Sequence, residues 1–434
     1  MFTIGLSGRR IVDHYPAMKR ELDKISIHDG WLGHRKWTAE AIGEPLPMSK
    51  MVPAGVGNPA DRQPMMIQLR PLYHAMLYHQ IDRFGIPVFY GKRVVKYYED
   101  ADRGVGGVVL DNGEHEEADL IIAADGLNSS SHDRVLGGQG KGRPSGRSIF
   151  RAAWPLDLAT ADPLVKETFG LKEGKDPMMQ AWMGPNTHAM VLSYVDKAGK
   201  NGQMLWGLTY TEPASKQSTD ESWHHHVSSE EVIKVMEKTE GWGEPMKALV
   251  RTMPIDTIVF WPLLWRDPNP CVHSAGCRVL QIGDAAHSFL PSSGNGATQA
   301  IEDAVTIAAC LQHAGKDKIA EAVKTHTLLR SDRVSCAQLL GFVNSERFQK
   351  TDLSRVGGDS SKVAAKVPKW IWQADPEQYV DENYAAAAAS LSEGGAKFEN
   401  TNIPVGYEPK PWSLESIEKL ESKGKSVELT GDWS

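Results

Sequence analysis

Arg278-Val-Leu-Gln-Ile-Gly-Asp-Ala-Ala-His-Ser-Phe-Leu-Pro-Ser-Ser-Gly-Asn-Gly-Ala-Thr-Gln-Ala-Ile-Glu-Asp303 decides how the rest of the chain is read. Val279, Leu280 and Ile282 form a short apolar run with the pattern of a buried strand, and it stops at Gly283-Asp284, where the chain must leave a sheet. From Ala297 the apolar residues Ala300, Ile301, Ala304, Val305, Ala308 and Leu311 recur at helical spacing, so a helix opens at Gly294-Asn295-Gly296. Glycine at such a start lets a ligand come close to the backbone, while the unpaired N–H groups and the helix dipole favour negative charge. Asp284 stands beside that anion-friendly start as a fixed carboxylate. The pairing could serve a sugar hydroxyl on one side and an electron-rich ring or phosphate on the other; an ordinary strand-loop-helix connection uses the same residue types.

A second apolar run lies upstream. Leu120 to Ala124 is continuous, as expected of a strand buried on both faces of a sheet, and Asp125-Gly126 ends it. Before it, Ile86–Phe89, Arg93–Tyr98 and Gly107–Leu110, with the turn Asp111-Asn112-Gly113, predict a small antiparallel meander. Gln68 to Leu77 predicts a helix with Pro71 in its first turn, which leaves Arg70 at the helix start, free to point outward. Between 145 and 255 the strand-like runs Ser148–Trp154, Met178–Met183, Ala189–Tyr194 and Met204–Tyr210 predict a mostly antiparallel sheet rich in aromatic and methionine side chains. Such a face suits a flat apolar ligand or a core equally well. Residues 1–45 suggest a helix through Ile11, Val12, Tyr15, Met18 and Leu22, with Pro16 as its kink or its start, and 46–66 read as an irregular excursion.

The chain has 434 residues, enough for two or three domains. Its net charge of -7, from 48 basic and 55 acidic residues, argues against a nucleic-acid surface. No apolar run approaches the roughly 20 residues of a membrane span, and no secretory signal is visible, so a cytoplasmic location is expected. Cys271, Cys277, Cys310 and Cys336 show neither metal-ligand nor disulfide-framework spacing. His224-His-His226 points its rings in divergent directions on any regular backbone and reads as a solvated segment at a helix start; no metal is expected.

Gly283-Asp-Ala-Ala-His287, Pro291 and Gly294-Asn-Gly-Ala297, with Glu302-Asp303, closely resemble the second flavin-binding motif of FAD-dependent aromatic hydroxylases of the salicylate and para-hydroxybenzoate hydroxylase type. Ser26–Trp31 and His34–Trp37 look like an early segment of that family, and Thr257–Pro268 resembles its fungal members. Asp125-Gly126 with Ser129 matches the family's Asp-Gly motif, which serves both FAD and the nicotinamide cofactor, although Arg134 comes later than the motif asks. Arg70 matches an R-x-x-L element near the flavin.

The resemblance implies an α/β fold: a Rossmann-like FAD/NAD(P)-binding domain (1–45, 67–144, 257–350), a mostly antiparallel substrate-binding sheet (46–66, 145–256) and a helical C-terminal tail (351–434). It also implies a monooxygenase that uses FAD, NADPH or NADH and dioxygen to hydroxylate an aromatic or polyketide-like small molecule through a flavin hydroperoxide. Cofactor-binding residues would be Arg70, Asp125, Gly126, Gly283, Asp284, Pro291, Gly294, Asn295, Gly296 and Ala297, with Asp284 fixing the ribityl chain. No catalytic residue is selected: His34, Arg35 and the sheet aromatics are all candidates for the substrate pocket. The family normally opens with a strand, a GxGxxG turn and a helix that seat the pyrophosphate, and Gly5-Leu-Ser-Gly8 does not fit that pattern. The fold is therefore expected to be incomplete at its N-terminus. The alternatives are another flavin oxidation such as epoxidation, or a truncated, non-catalytic member with impaired FAD binding.

Overall fold

Period-two alternation across the middle of the chain builds one large sheet, and the glycine-opened helix packs beside a smaller parallel pair. The structure, a computed structural model, describes residues 1–27, 30–51, 65–137, 142–174, 177–196, 199–213, 215, 217–218 and 224–433. The large sheet has the order β13 (His226–Val227), β14 (Ile258–Trp265), β9 (Arg143–Pro155), β12 (Gln203–Thr211), β11 (Thr187–Tyr194), β10 (Met178–Gly184), β2 (Trp31–Lys36) and β3 (Leu46–Pro47). All its pairings are antiparallel except β10 with β2.

Alternation gives this sheet two different faces. Its back face carries Trp154, Trp182, Trp206 and Leu208, which pack with Met236, Met246 and Leu249 of the helices Ser229–Met236 and Glu244–Arg251. Side chains such as Met246 and Leu249, fully buried, stabilise the fold by roughly 1.5–3 kcal/mol each. Its front face packs Leu32, Met179, Leu192 and Leu205 on Met48 and Ile67.

The remaining strands form three small sheets. β1 (Phe2–Gly5) pairs antiparallel with β4 (Met65–Gln68), and β5 (Val94–Asp100), β6 (Val105–Leu110) and β7 (His115–Ala118) form the meander. β8 (Ile121–Ala123) pairs parallel with β15 (Val279–Gln281). After β15 the helix Gly296–Ala314 runs to Gly315, and the 32-residue helix Ile319–Lys350 returns along it. No helix among the described residues is long and apolar enough to cross a membrane.

Several expectations are corrected. The run Leu120–Ala124 is not covered on both faces: Ile122 is 42% exposed, because among the described residues β15 is the only strand paired with β8. Ile86–Phe89 forms no strand, and Phe89 and Tyr90 are exposed. Trp31–Lys36, grouped by sequence with the nucleotide-binding part, hydrogen-bonds into the large sheet, where parallel register with β10 sets Leu32 beside Met179 in the front-face cluster. Met65–Gln68 is a strand rather than irregular chain, whereas 52–64 lie outside the described residues. Gly5-Leu-Ser-Gly8 does follow a strand, but an antiparallel one, and a Cβ on Gly8 would meet Ile4 at 3.2 Å and Ile301 at 3.4 Å, so this glycine serves helix packing. His226 enters β13, and the helix begins only after the Ser228 capping box. The expected helical C-terminal tail is present as the helices Lys369–Trp372, Pro376–Ser390 and Leu414–Glu421, and it packs on the body, with Leu414, Ile417 and Trp433 buried beside Trp265 and Phe342.

Candidate functional site

Two parallel neighbours release their chains at the same edge of a sheet. Ile121, Ile122 and Ala123 stand opposite Val279, Leu280 and Gln281, and the Ile282 N–H donates to the Ala123 carbonyl at 3.0 Å. The loops that begin near Asp125 and near Gly283 therefore start side by side. Gly283 has φ +57° and Gly126 φ +86°, left-handed conformations that a side chain would strain. A Cβ on Gly283 would also stand 3.1 Å from that of Ala300.

Asp125 is exposed and accepts a hydrogen bond from the Tyr97 hydroxyl at 2.9 Å. Burial, and then the Asp125 charge, push the Tyr97 phenol upward, so it stays protonated and donates. Asp284, on the short 3-10 turn Gly283–Ala285, is exposed and accepts no hydrogen bond from the described residues.

Pro291–Ser293 forms another short 3-10 turn that delivers the chain to Gly294. The Gly294 carbonyl accepts from the Thr3 hydroxyl at 2.6 Å. Asn295 precedes the helix without a side-chain capping bond; it is 4% exposed, and its Nδ2 has no partner among the described residues. Gly296 starts the helix, where a Cβ would press on the Phe289 Cβ at 3.2 Å, and Ala297 packs against the cluster around Ile4 and Met18. The Gln299 N–H makes the first helical bond, to the Asn295 carbonyl at 2.9 Å, so the amides of Gly296, Ala297 and Thr298 have no helical partner. Arg70 is exposed at the first position of the helix Arg70–Arg83.

These residues fit the ring and ribityl end of a flavin: an open carboxylate, a buried amide donor without a partner, and a helix start with spare N–H groups. All the expected positions except Arg70 lie on the β8 loop or between 283 and 297. Arg134 is drawn elsewhere, into an ion pair with Glu99, whose carboxylate also accepts from Ser274 at 2.5 Å and from the Gly276 N–H at 2.9 Å.

A buried ionic network underlies the loops. Asp303 Oδ2 accepts from the Gly283 N–H at 2.9 Å and lies 2.6 Å from His287 Nε2, while Arg330 donates to Asp303 Oδ1 at 2.8 Å and to Glu302 Oε2 at 2.6 Å. Arg333 and Ser7 also donate to Glu302, at 2.7 Å each. Burial alone would raise the Glu302 carboxyl, but Arg333 and Arg330 outweigh it and hold it at about 2. Asp303 likewise lies well below the carboxylate range, as His287 and Arg330 outweigh its burial. Neither arginine stands out in the sequence; the available signal was two adjacent carboxylates on an apolar helix, which require buried cations. A cavity of about 270 Å³ lies against this network, lined by Glu302, Arg330, Arg333, Lys369 and Trp370.

Pairing also sorts the substrate-side candidates. His34 lies on the front face of the large sheet with Leu32, while Arg35 points to the back, its guanidinium 5.6 Å from the Trp182 ring centre. Burial lowers His34 to about 4, so it is neutral near pH 7 and too weak a base to take a phenolic proton. Among the described residues no group of three or more His, Cys, Asp or Glu could hold a metal ion.

Comparison with known proteins gives consistent likenesses. A family model described as an FAD binding domain matches residues 60–326. The FAD-dependent monooxygenase fsr3 of Gibberella fujikuroi is 38% identical over 431 residues, covering 98% of this chain and 80% of that protein. The FAD-dependent monooxygenase mdpD of Emericella nidulans is 41% identical over 435 residues, covering 99% and 81%. Among solved structures, native FqzB aligns with a TM-score of 0.79 at 25% identity, covering 93% of this chain and 87% of that one. A salicylate hydroxylase substrate complex aligns at 0.66 with 23% identity, covering 90% of both.

Proposed function

This chain belongs to the FAD-dependent monooxygenase family, and from that membership we propose that it spends NADPH or NADH and dioxygen to hydroxylate an aromatic or polyketide-like small molecule. It is a flavoprotein monooxygenase, an oxidoreductase. FAD, when bound, supplies the two-electron chemistry that couples a reduced nicotinamide to dioxygen. The protein's work is to bind, orient and keep water out.

The observation that carries this reading is the parallel pairing of β8 with β15, which brings the Asp125 and Asp284 loops to one edge beside the start of the helix Gly296–Ala314. In our assignment Asp284 accepts a ribityl hydroxyl, and the first-turn amides of Gly296 and Ala297, to which Gly294 and Asn295 lead the chain, offer donors and the positive end of the helix to an electron-rich ring. Pro291 shapes the approach to those amides. Asn295 Nδ2 gives a further donor, and we assign Arg70, at the start of the helix Arg70–Arg83, as a cation for the cofactor. Asp125, Gly126 and Ser129 support nicotinamide use through the motif they resemble. We assign the large sheet, β2 and β3 included, to the substrate. The four free thiols accord with a reducing, cytoplasmic setting.

The test is incubation of the purified chain with FAD, NADPH or NADH, and planar phenols under labelled dioxygen. We expect a product heavier by one oxygen atom, with the label incorporated. Nicotinamide oxidation that yields only hydrogen peroxide across the whole panel would count against hydroxylation of this substrate class.

A further inference from the structure

The Asp-Gly loop that leaves β8 is held at two levels, and different residues hold each. Its backbone is tied to β15. The Ser129 N–H donates to the Gly126 carbonyl at 3.0 Å, the Ser129 and Ser131 hydroxyls lie 2.6 Å apart, and Gln281 Nε2 donates to Ser131 Oγ at 2.7 Å. Gln281 Nε2 also meets His132 Nδ1 at 2.8 Å, and His132 Nε2 lies 3.3 Å from the Leu127 carbonyl, so the ring accepts at Nδ1 and donates at Nε2. Ser129, Ser131, His132 and Gln281 are all buried. None of these bonds involves the Asp125 side chain.

The Asp125 carboxylate is held from elsewhere. Among the described residues its one hydrogen bond comes from the Tyr97 hydroxyl, at 2.9 Å to Oδ2. Tyr97 lies on β5, 28 residues earlier in the chain. It is 6% exposed, and its ring packs with Val108, Leu110, Ala123 and Val279, in a core to which both parallel strands contribute. A ring so packed fixes where its oxygen stands. Asp125, by contrast, is exposed, and an exposed carboxylate turns among several staggered rotamers. The bond from the buried phenol selects one of them.

That selection leaves half of the carboxylate available. An ionised carboxylate accepts at both oxygens. With Oδ2 taken by Tyr97, Oδ1 is left to accept from a hydroxyl or an amide N–H of a ligand. There is room for one: a Cβ built on the neighbouring Gly126 would meet nothing within 4 Å.

Resting on the monooxygenase reading, we propose that Tyr97 is a positioning residue for cofactor binding: it fixes the Asp125 carboxylate so that Oδ1 accepts from a hydroxyl or amide donor on a bound dinucleotide. FAD and the nicotinamide cofactor both carry such donors, and the measurement separates them.

The test is a cycle of Tyr97→Phe, Asp125→Ala and the double variant, with FAD titrated by flavin fluorescence and NADP+ or NAD+ titrated by calorimetry into the FAD-loaded proteins, without turnover. Tyr97→Phe should weaken at least one dinucleotide by about fivefold to tenfold, and the one affected carries the donor. Asp125→Ala should weaken the same dinucleotide at least as much. In the Asp125→Ala background, Tyr97→Phe should change neither affinity by more than about twofold, because the group it positions is gone. Thermal unfolding of Tyr97→Phe should match wild type, since the ring keeps its packing and the carboxylate is open to water. Wild-type affinity for both dinucleotides in Tyr97→Phe overturns the proposal. Equal weakening by Tyr97→Phe in both backgrounds also overturns it, leaving the tyrosine a role in the fold alone. A wild-type chain that binds no FAD removes the monooxygenase reading and this proposal together; FAD binding by wild type that Tyr97→Phe leaves untouched, with the nicotinamide cofactor untouched as well, removes only this one.

Discussion

The backbone N–H of Gly283 donates to the Asp303 carboxylate across 2.9 Å, tying the turn that presents Asp284 to the second turn of the helix that starts at Gly296. Asp303→Ala removes that tie and leaves Arg330, 4% exposed, without one of its two carboxylate partners. Truncating one member of a buried ion pair costs about 3–5 kcal/mol. Denaturant unfolding should show a loss of that size for Asp303→Ala and a smaller one for Asp303→Asn, which keeps an acceptor for Gly283. A loss under about 1 kcal/mol for the alanine variant would mean that the network does not hold the turn.

Acid should expose the same network. The Glu302 carboxyl titrates near 4.5 when unconstrained and is held at about 2 in the fold, so its contribution is complete above the first value and is lost as pH falls toward the second. Asp303 is depressed for related reasons and acts in the same direction. Unfolding midpoints should therefore decline steeply between those two values, and Glu302→Gln should make the decline shallower. An unchanged slope in that variant would place the acid sensitivity elsewhere.

The four thiols should separate by reactivity. Cys271 is exposed and its thiol is lowered by a hydrogen bond with His273, whereas burial pushes Cys310 up to about 12 and raises Cys336 as well. Near neutral pH, peptide mapping after brief iodoacetamide treatment should find Cys271 alkylated ahead of both. Cys310 modified first would contradict the packing of the helix that carries it.

Much of this architecture was legible because it depends on local pattern. The apolar run before Gly283, the helical spacing after Ala297 and the alternating runs between 148 and 210 all appear as elements within a few residues of their expected bounds. The errors arose where pairing, rather than composition, decides the outcome. Nothing local in Trp31–Lys36 tells it to join β10, and the apolar character of Leu120–Ala124 cannot reveal that, among the described residues, β15 alone pairs with it. Nothing in the local sequence marks Arg330 and Arg333, because their carboxylates lie some thirty residues away.

The central claim, that the Asp284 turn and the helix start hold the flavin, is tested most directly by titrating FAD into wild-type chain and Asp284→Ala and following flavin fluorescence. Asp284 is exposed and accepts no hydrogen bond from the described residues, so the variant should unfold at the wild-type temperature. A lost charge-assisted hydrogen bond costs roughly 1.5–3 kcal/mol, so the FAD dissociation constant should rise by about tenfold or more. Equal dissociation constants for the two proteins would contradict the account.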